Sequence, residues 1–397
     1  MARMIVGVPK ETFPGERRVA LIPSVVPLLT KKNVEVVIEA GAGESAGALD
    51  KAYEEMGCKV AKSRAEIFSQ ADVIFQVRGL GANPKEGKAD LDLLKKNQIL
   101  VGMFEPLSAQ KEAEALAKKK VTTFALELLP RTTRAQAMDV LSSQANLAGY
   151  KAVLLASDVI PGIYPMMMTP AGTIKPASVF VLGAGVAGLQ AIATAKRLGA
   201  KVLAFDVRPV VKEQVESLGA KFLDLGVSTE QDSSGYAKEQ SEEQIAKQRE
   251  LMIQACADSN VVITTAQIPG RKAPILVTKA MVEAMRPGSC VVDLAASTGG
   301  NCELTKMGET VIHKGVSILG PENPASLTPA ASSQMYARNL TNFLLNMIDK
   351  EGNFAIKTED EIVRESMLTR DGEIVSARAR EVFGLPALAE AQTEGGA

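Results

Sequence analysis

An apolar strand running into three spaced glycines and then a helix constrains this chain more than any other feature. Val179-Phe-Val-Leu-Gly183-Ala-Gly185-Val-Ala-Gly188 has that order, and a second apolar run, Val202-Leu-Ala-Phe, ends at Asp206. The first glycine permits a tight turn, the second a close backbone approach to a pyrophosphate, and the third close packing of helix on strand. A helix N-terminus under the phosphates and a carboxylate for the ribose complete a dinucleotide-binding pattern. Asp206 repels a 2′-phosphate and so favours NAD(H) over NADP(H). Arg208 opposes that preference, because a guanidinium there accommodates the phosphate. The pattern starts only at residue 179, so another whole domain precedes it.

Short apolar strands recur along the chain with helix-like stretches between them. One series is Met4–Val8, Val34–Ile38, Val73–Val77, Ile99–Phe104 and Thr122–Leu126. A second is Val179–Leu182, Val202–Phe205, Lys221–Leu223, Val261–Thr265, Cys290–Leu294 and Ser317–Leu319. Alternating strands and helices predict parallel sheets covered on both faces. The expected class is α/β, with two doubly wound Rossmann-like domains, the second inserted into the first. Residues 1–146 with 326–397 form the first domain and residues 147–325 the dinucleotide-binding one. Asp139–Ile160 reads as the helix that carries the chain across, and Ser332–Ile348 as the helix that returns it. Tyr336, Leu340, Phe343, Leu344 and Met347 give that second helix one apolar face. Met367-Leu-Thr-Arg-Asp371-Gly372-Glu-Ile-Val reads as a hairpin turning at Asp-Gly.

Composition removes several classes of function. The chain of 397 residues has a formal net charge of −1, which offers no broad basic surface to nucleic acid or anionic lipid. No apolar run reaches the about 18–20 residues that span a bilayer. Cys58, Cys256, Cys290 and Cys302 form no CxxC pair and read as small buried hydrophobes of a cytosolic chain. His313 is the sole histidine, so zinc sites and histidine acid–base chemistry are both disfavoured, and no metal is expected. Its own bland reading is a structural or surface residue.

Three polar segments carry candidate chemistry, each beside a structural alternative. Lys10–Arg18 follows the first strand, where ligands bind in parallel sheets, yet it reads equally as a solvated turn with a surface ion pair. Gln136, Asp139 and Ser142 recur every third residue. Amide, carboxylate and hydroxyl together suit a nicotinamide carboxamide, which needs a donor and an acceptor. Alternatively, Thr133-x-x-Gln136 is a capping box that merely starts a helix. Asp224–Gln248, with Tyr236 its sole aromatic, reads from composition as a solvated surface helix with a loop, or as a flap over a cofactor.

The chain resembles the family that holds alanine dehydrogenase and the NAD(H)-binding domain of proton-translocating NAD(P)+ transhydrogenase. Shared motifs are Gly7-Val-Pro-Lys-Glu11, Arg18-Val-Ala-Leu, Gly41-Ala-Gly43, Tyr53-Glu-Glu-Met-Gly57, the glycine loop and Val291-Val-Asp293-Leu-Ala. The transhydrogenase branch is the more similar through Arg134-Ala-Gln-Ala-Met-Asp-Val-Leu-Ser-Ser-Gln-Ala-Asn, Ala148-Gly-Tyr-Lys-Ala-Val, Met166-Met-Met-Thr-Pro-Ala-Gly-Thr, Gly235-Tyr-Ala-Lys-Glu and Thr265-Ala-Gln-Ile-Pro-Gly. The resemblance implies that Arg131, Gln136, Asp139 and Ser142 hold the nicotinamide end. It implies pyrophosphate and ribose contacts from Gly183, Ala184, Gly185, Val186, Gly188, Asp206, Val207 and Arg208. It adds Thr265, Ala266 and Gln267, and makes Tyr236 part of a mobile loop closing on the nucleotide.

The amino-acid dehydrogenase branch needs a keto-acid-binding arginine and lysine, a catalytic histidine and a catalytic aspartate. Arg18 matches the first, and Arg78 stands where the lysine would be. Pro106 falls at the histidine and Ser297 at the aspartate. Gly320-Pro-Glu-Asn-Pro-Ala-Ser326 departs from the family's usual pattern. The resemblance thus implies a homodimeric, peripheral subunit, held at the cytoplasmic face of the inner membrane by partner subunits. It would present NADH to NADP(H) on a partner, with hydride transfer coupled to proton movement. The rival expectations are an alanine-type dehydrogenase and a non-catalytic NAD-binding module.

Overall fold

A computed structural model describes residues 3–225, 242–268 and 270–388. The chain divides into two compact units, Met1–Gln144 with Ser326–Ala397, and Ala145–Ala325. The first boundary falls inside the long helix Val140–Val159.

In chain order the strands begin with β1 (Met4–Val8), β2 (Val34–Glu39), β3 (Lys59–Ala61), β4 (Val73–Arg78), β5 (Ile99–Met103) and β6 (Thr122–Ala125). A hairpin of β7 (Met167–Thr169) and β8 (Gly172–Ile174) follows. Then come β9 (Ser178–Leu182), β10 (Lys201–Phe205), β11 (Lys221–Phe222), β12 (Val261–Thr264), β13 (Cys290–Asp293), β14 (Thr310–His313) and β15 (Val316–Leu319). After the return helix Pro329–Leu345, β16 (Met367–Arg370) and β17 (Glu373–Ile374) close the series.

The first unit's sheet runs β17-β16-β6-β5-β4-β1-β2-β3 and the second's β11-β10-β9-β12-β13-β15-β14. In each, the sheet's first strand in chain order (β1, β9) lies between its second and a later one, which is the doubly wound arrangement with a reversal of strand order beside that strand. The central strands are buried on both faces, as near-continuous apolar runs require. In the first unit Phe75, Val101 and Phe124 pack with Tyr336, Leu340 and Phe343 of the return helix, while Ile74, Leu100 and Ala125 pack with Ile67, Phe68 and Leu116 on the other face. In the second, Val179, Val181 and Ile263 meet Ala152, Ala156 and Ile192, and Phe180, Val262 and Ile318 meet Met252, Cys256 and Val282. All five residues of the return helix's expected apolar face are buried. All four cysteines are buried free thiols.

The sheets are not wholly parallel. β14 is antiparallel to β15, β16 to β6, and β17 to β16. β14–β15 and β16–β17 are hairpins whose two-residue connections reverse the chain, whereas β16 joins β6 at the sheet's outer side only after the second unit and the return helix. The β16–β17 turn holds Asp371 at φ 52° and Gly372 at φ 96°, both left-handed, as a two-residue hairpin turn demands. Among the described residues no helix is long and apolar enough to cross a membrane.

Candidate functional site

The second unit's glycine loop lies at the carboxyl end of β9, where the strand order reverses between β9 and β12. Gly183 turns the chain at φ +95°, a conformation side chains rarely adopt. A Cβ on Gly188 would stand 1.8 Å from the Gly183 carbonyl oxygen, so only glycine lets this helix approach this strand. A Cβ on Gly185 would meet nothing within 4 Å. Gly185 caps the helix Val186–Arg197 without any side-chain hydrogen bond. The helix start therefore keeps its first amides for an anion, and the space above them is open. Ala184 is buried, whereas Val186 and Val207 are exposed.

Asp206 stands at the end of β10 and accepts from the Ala184 amide at 2.7 Å. Arg208 folds back onto the same carboxylate, with its amide and Nε each 2.9 Å from Oδ1 and a terminal nitrogen 3.0 Å from Oδ2. Burial alone would raise the Asp206 pKa. The hydrogen bonds from Arg208 and Ala184 outweigh it and hold the carboxyl below its ordinary range. The guanidinium is thus engaged with Asp206 rather than extended toward a 2′-phosphate.

Thr265, Ala266 and Gln267 follow β12 on the other side of the reversal. The Thr265 hydroxyl donates to the Gly183 carbonyl at 3.0 Å, tying the two loops together. Asn301 grips Ala266 from both sides, accepting its amide and donating to its carbonyl at 2.9 Å each. Gln267 donates to the Leu294 carbonyl. Asp293, fully buried, accepts from Thr264, Ala295, Asn301, Cys302 and Thr305 and so braces the base of this loop. Sequence reasoning missed Asn301, whose only signal is its place after Gly299-Gly300. Tyr236 and residues 226–241 of the expected flap lie outside the described residues, and the end of that segment, from Glu242, begins the helix Glu242–Ala257.

In the first unit, Thr133–Met138 is a 3₁₀ helix. Its three residues per turn put Gln136 above Thr133, and Asp139 one turn further. The alternative capping box does not form: Thr132 is the cap, and it makes no side-chain capping bond. Asp139 and Ser142 are brought together at the start of the long helix, where the carboxylate accepts the Ser142 amide at 2.9 Å and hydroxyl at 2.6 Å. Arg131 and Gln136 are exposed and have no hydrogen-bonded side-chain partner among the described residues.

The Lys10–Arg18 segment is exposed at Lys10, Thr12, Pro14, Gly15 and Arg17, but its ion pair is not a surface one. Glu16 and Arg18 are an ion pair at 2.7 Å with side chains 0 and 2 % exposed, and Arg78 reaches the same carboxylate at 3.1 Å. Burial would raise the Glu16 carboxyl, but Arg18 first and Arg78 after it hold it well below its ordinary range. Glu11 accepts the Val77 and Arg78 amides at the end of β4. Burial, reinforced by Glu16, lifts its pKa to about 7. Glu127 does the same one strand further on, accepting the Phe104 and Glu105 amides through Oε1. Its buried Oε2 has no hydrogen-bond partner, and burial with the neighbouring Glu105 lifts the group to about 8. Ser326, the last residue of the departing segment, accepts the Arg17 amide and donates to the Gly15 carbonyl. His313 is a surface residue paired with Glu283.

Known proteins resemble this chain along nearly its whole length. Residues 7–148 match the family "Alanine dehydrogenase/PNT, N-terminal domain" and residues 152–377 the corresponding C-terminal domain. An NAD(P) transhydrogenase alpha subunit of Rhodospirillum rubrum is 46% identical over 94% of this chain and 98% of its own. The crystal structure of transhydrogenase from Sinorhizobium meliloti superposes with a TM-score of 0.83, at 44% identity over 94% of this chain and all of that one. An L-alanine dehydrogenase structure gives 0.78 at 25% identity, covering 96% of this chain and 99% of its own. On the match of both domains and on these identities, the chain belongs to the alanine dehydrogenase/PNT family.

Proposed function

We propose that this chain is the NAD(H)-binding subunit of a proton-translocating transhydrogenase, which presents NADH for direct hydride transfer to NADP+ on a partner subunit. The observation that carries the nucleotide part is the open, uncapped helix start at Gly185 beside Asp206. Amides of the glycine loop would hold the pyrophosphate, and Asp206 the ribose. Thr265, Ala266 and Gln267 would flank the nucleotide, with Tyr236 closing on it. When bound, NADH supplies the hydride.

Arg131, Gln136, Asp139 and Ser142 would orient the nicotinamide rather than move protons. Exchange of hydride between two nicotinamide rings needs no protein acid or base, whereas oxidising an amine does. Neither Pro106 nor Ser297 offers a side chain that titrates near neutral pH at the positions where the dehydrogenase branch has its acid–base pair. The two guanidiniums that would grip a keto-acid carboxylate, those of Arg18 and Arg78, are already engaged by Glu16. Both facts support a subunit active only with an NADP(H)-binding partner; the membrane partners, and a place peripheral to the cytoplasmic face of the inner membrane, are proposed on the resemblance to transhydrogenase subunits. The hairpin of β7 and β8, exposed along both strands and preceded by exposed Met166, supports self-association as a homodimer.

Gln136→Asn tests the positioning role. In the complex reconstituted with the NADP(H)-binding and membrane subunits, NADH affinity should stay at the wild-type value while the transhydrogenation rate falls about ten-fold. An unchanged rate removes Gln136 from the proposal.

A further inference from the structure

The segment 131–139 bears two exposed side chains, Arg131 and Gln136, with no partners of their own among the described residues, so its position must be set from behind. Two apolar anchors do part of this: Ala135 and Met138 are buried in the core that includes Tyr336, Ala337 and Leu340 of the return helix. Apolar contact is non-directional and does not by itself set which way a peptide plane points. The return helix adds a directional restraint. Asn339 and Asn342 lie three residues apart on one helical face, and both donate to the same carbonyl, that of Ala137, at 3.0 Å each. Asn339 is 6% exposed, and its Oδ1 accepts the Ser143 hydroxyl at 2.7 Å, which fixes which way the amide points. Four residues on, Asn346 donates to Asp360 at 2.9 Å, and Asp360 in turn binds Arg134.

Three asparagines on one face do not serve the helix itself, since asparagine is a poorer helix former than leucine or alanine. A polar stripe with one member buried, Asn339, and two half-buried adds direction instead of area. Convergence of two donors on one carbonyl fixes the peptide next to Gln136. We infer that Asn339, seconded by Asn342, is a positioning residue for hydride transfer, holding the Ala137 carbonyl so that Gln136 and Asp139 meet the nicotinamide in a productive geometry. The inference rests on the role given above to the Gln136 segment.

The test is steady-state hydride transfer from NADH to NADP+ in the complex with the NADP(H)-binding and membrane subunits, with thermal unfolding measured alongside. Asn339→Leu with Asn342→Leu removes both donors. It should lower kcat about ten-fold, because small misplacements of a reacting group are costly, and leave KM for NADH within about two-fold. Asn339→Asp keeps the shape and turns the donor into an acceptor. It should lower kcat in the same sense and covers the case in which the double variant does not fold. If the clamp acts through Gln136, the leucine pair should cost less than about two-fold more in a Gln136→Ala background.

A wild-type kcat in folded Asn339→Asp and in the leucine pair would overturn the inference. So would losses that multiply fully with those of Gln136→Ala. In both cases a slow Gln136→Ala would leave the proposed function standing. A Gln136→Ala complex with unchanged kcat would instead refute the role of the segment itself, and the clamp with it.

Discussion

The two sheets share the order of their central strands and differ in what stands at the reversal. In the second unit the loop after the first strand is glycine, its helix start is uncapped, and the space above Gly185 is open. In the first unit the same loop carries side chains, and the Glu11 carboxylate accepts the Val77 and Arg78 amides across the reversal. One sheet leaves the amides of its helix start without a side-chain cap. The other places a carboxyl group in the same loop, which satisfies the amides ending the neighbouring strand, and buries Glu16 with Arg18 and Arg78 beside it. The same topology therefore makes a binding site or a closed structural core according to a few loop residues, which is why fold alone does not fix function.

The sharpest way to break that contrast is to fill the open site. Gly185→Val should weaken NADH binding by about 100-fold or more, since the new side chain enters the space reserved for phosphate at an anion-binding helix start. Because nothing stands within 4 Å of that Cβ, the unfolding temperature should hold. Gly188→Val should lose binding and stability together, because its Cβ would overlap the Gly183 carbonyl. Fluorescence titration with NADH and calorimetry separate the two. Equal destabilisation by both would mean that the space at Gly185 is not a site.

The next effect lies in the closed reversal. Glu16→Gln leaves two guanidiniums beside a neutral amide, with Arg18 deeply buried, and removing one partner of a buried pair costs about 3–5 kcal/mol. Denaturant unfolding should register that loss, while NADH affinity should be unchanged if the two reversals serve separate ends. A parallel loss of NADH affinity in the folded variant would couple them.

The smallest effect is in pH. Glu11 and Glu127 have folded pKa values raised to about 7 and about 8 from an ordinary 4.5. A raised carboxyl resists ionisation in the folded state. Its contribution is intact below the unfolded value and is lost as pH rises through the folded one. Glu16, held low, works the other way and loses its contribution only in acid. Unfolding followed from about pH 5 to 9 should therefore show stability falling up to about pH 8 and levelling above it, and Glu127→Gln should flatten the upper part of that fall. Parallel wild-type and variant profiles would place the Glu127 proton elsewhere.

Much of this was legible in the sequence because it rests on local pattern. The central strands are apolar runs bounded by turns, and the glycine loop, Asp206 and the apolar face of the return helix are set by spacing. What escaped depends on partners distant in sequence or on weak runs. β3 is three residues at a sheet edge, and the β7–β8 hairpin is exposed, so neither has a core-facing pattern to read. The grip of Asn301 on Ala266, and of Asn339 and Asn342 on Ala137, joins side chains to backbone groups far apart in the chain. Glu11 and Glu127 reach a neighbouring strand's amides in the same way. Sequence spacing does not encode which carbonyl or amide a buried polar group will find.

The most direct test of the central claim is to follow deuterium from [4,4-²H₂]NADH in the reconstituted complex supplied with NADP+, and separately with pyruvate and ammonia. The account predicts deuterium in the NADPH formed, none released to water, and no alanine. Deuterated alanine, made by this chain without partners, would contradict it.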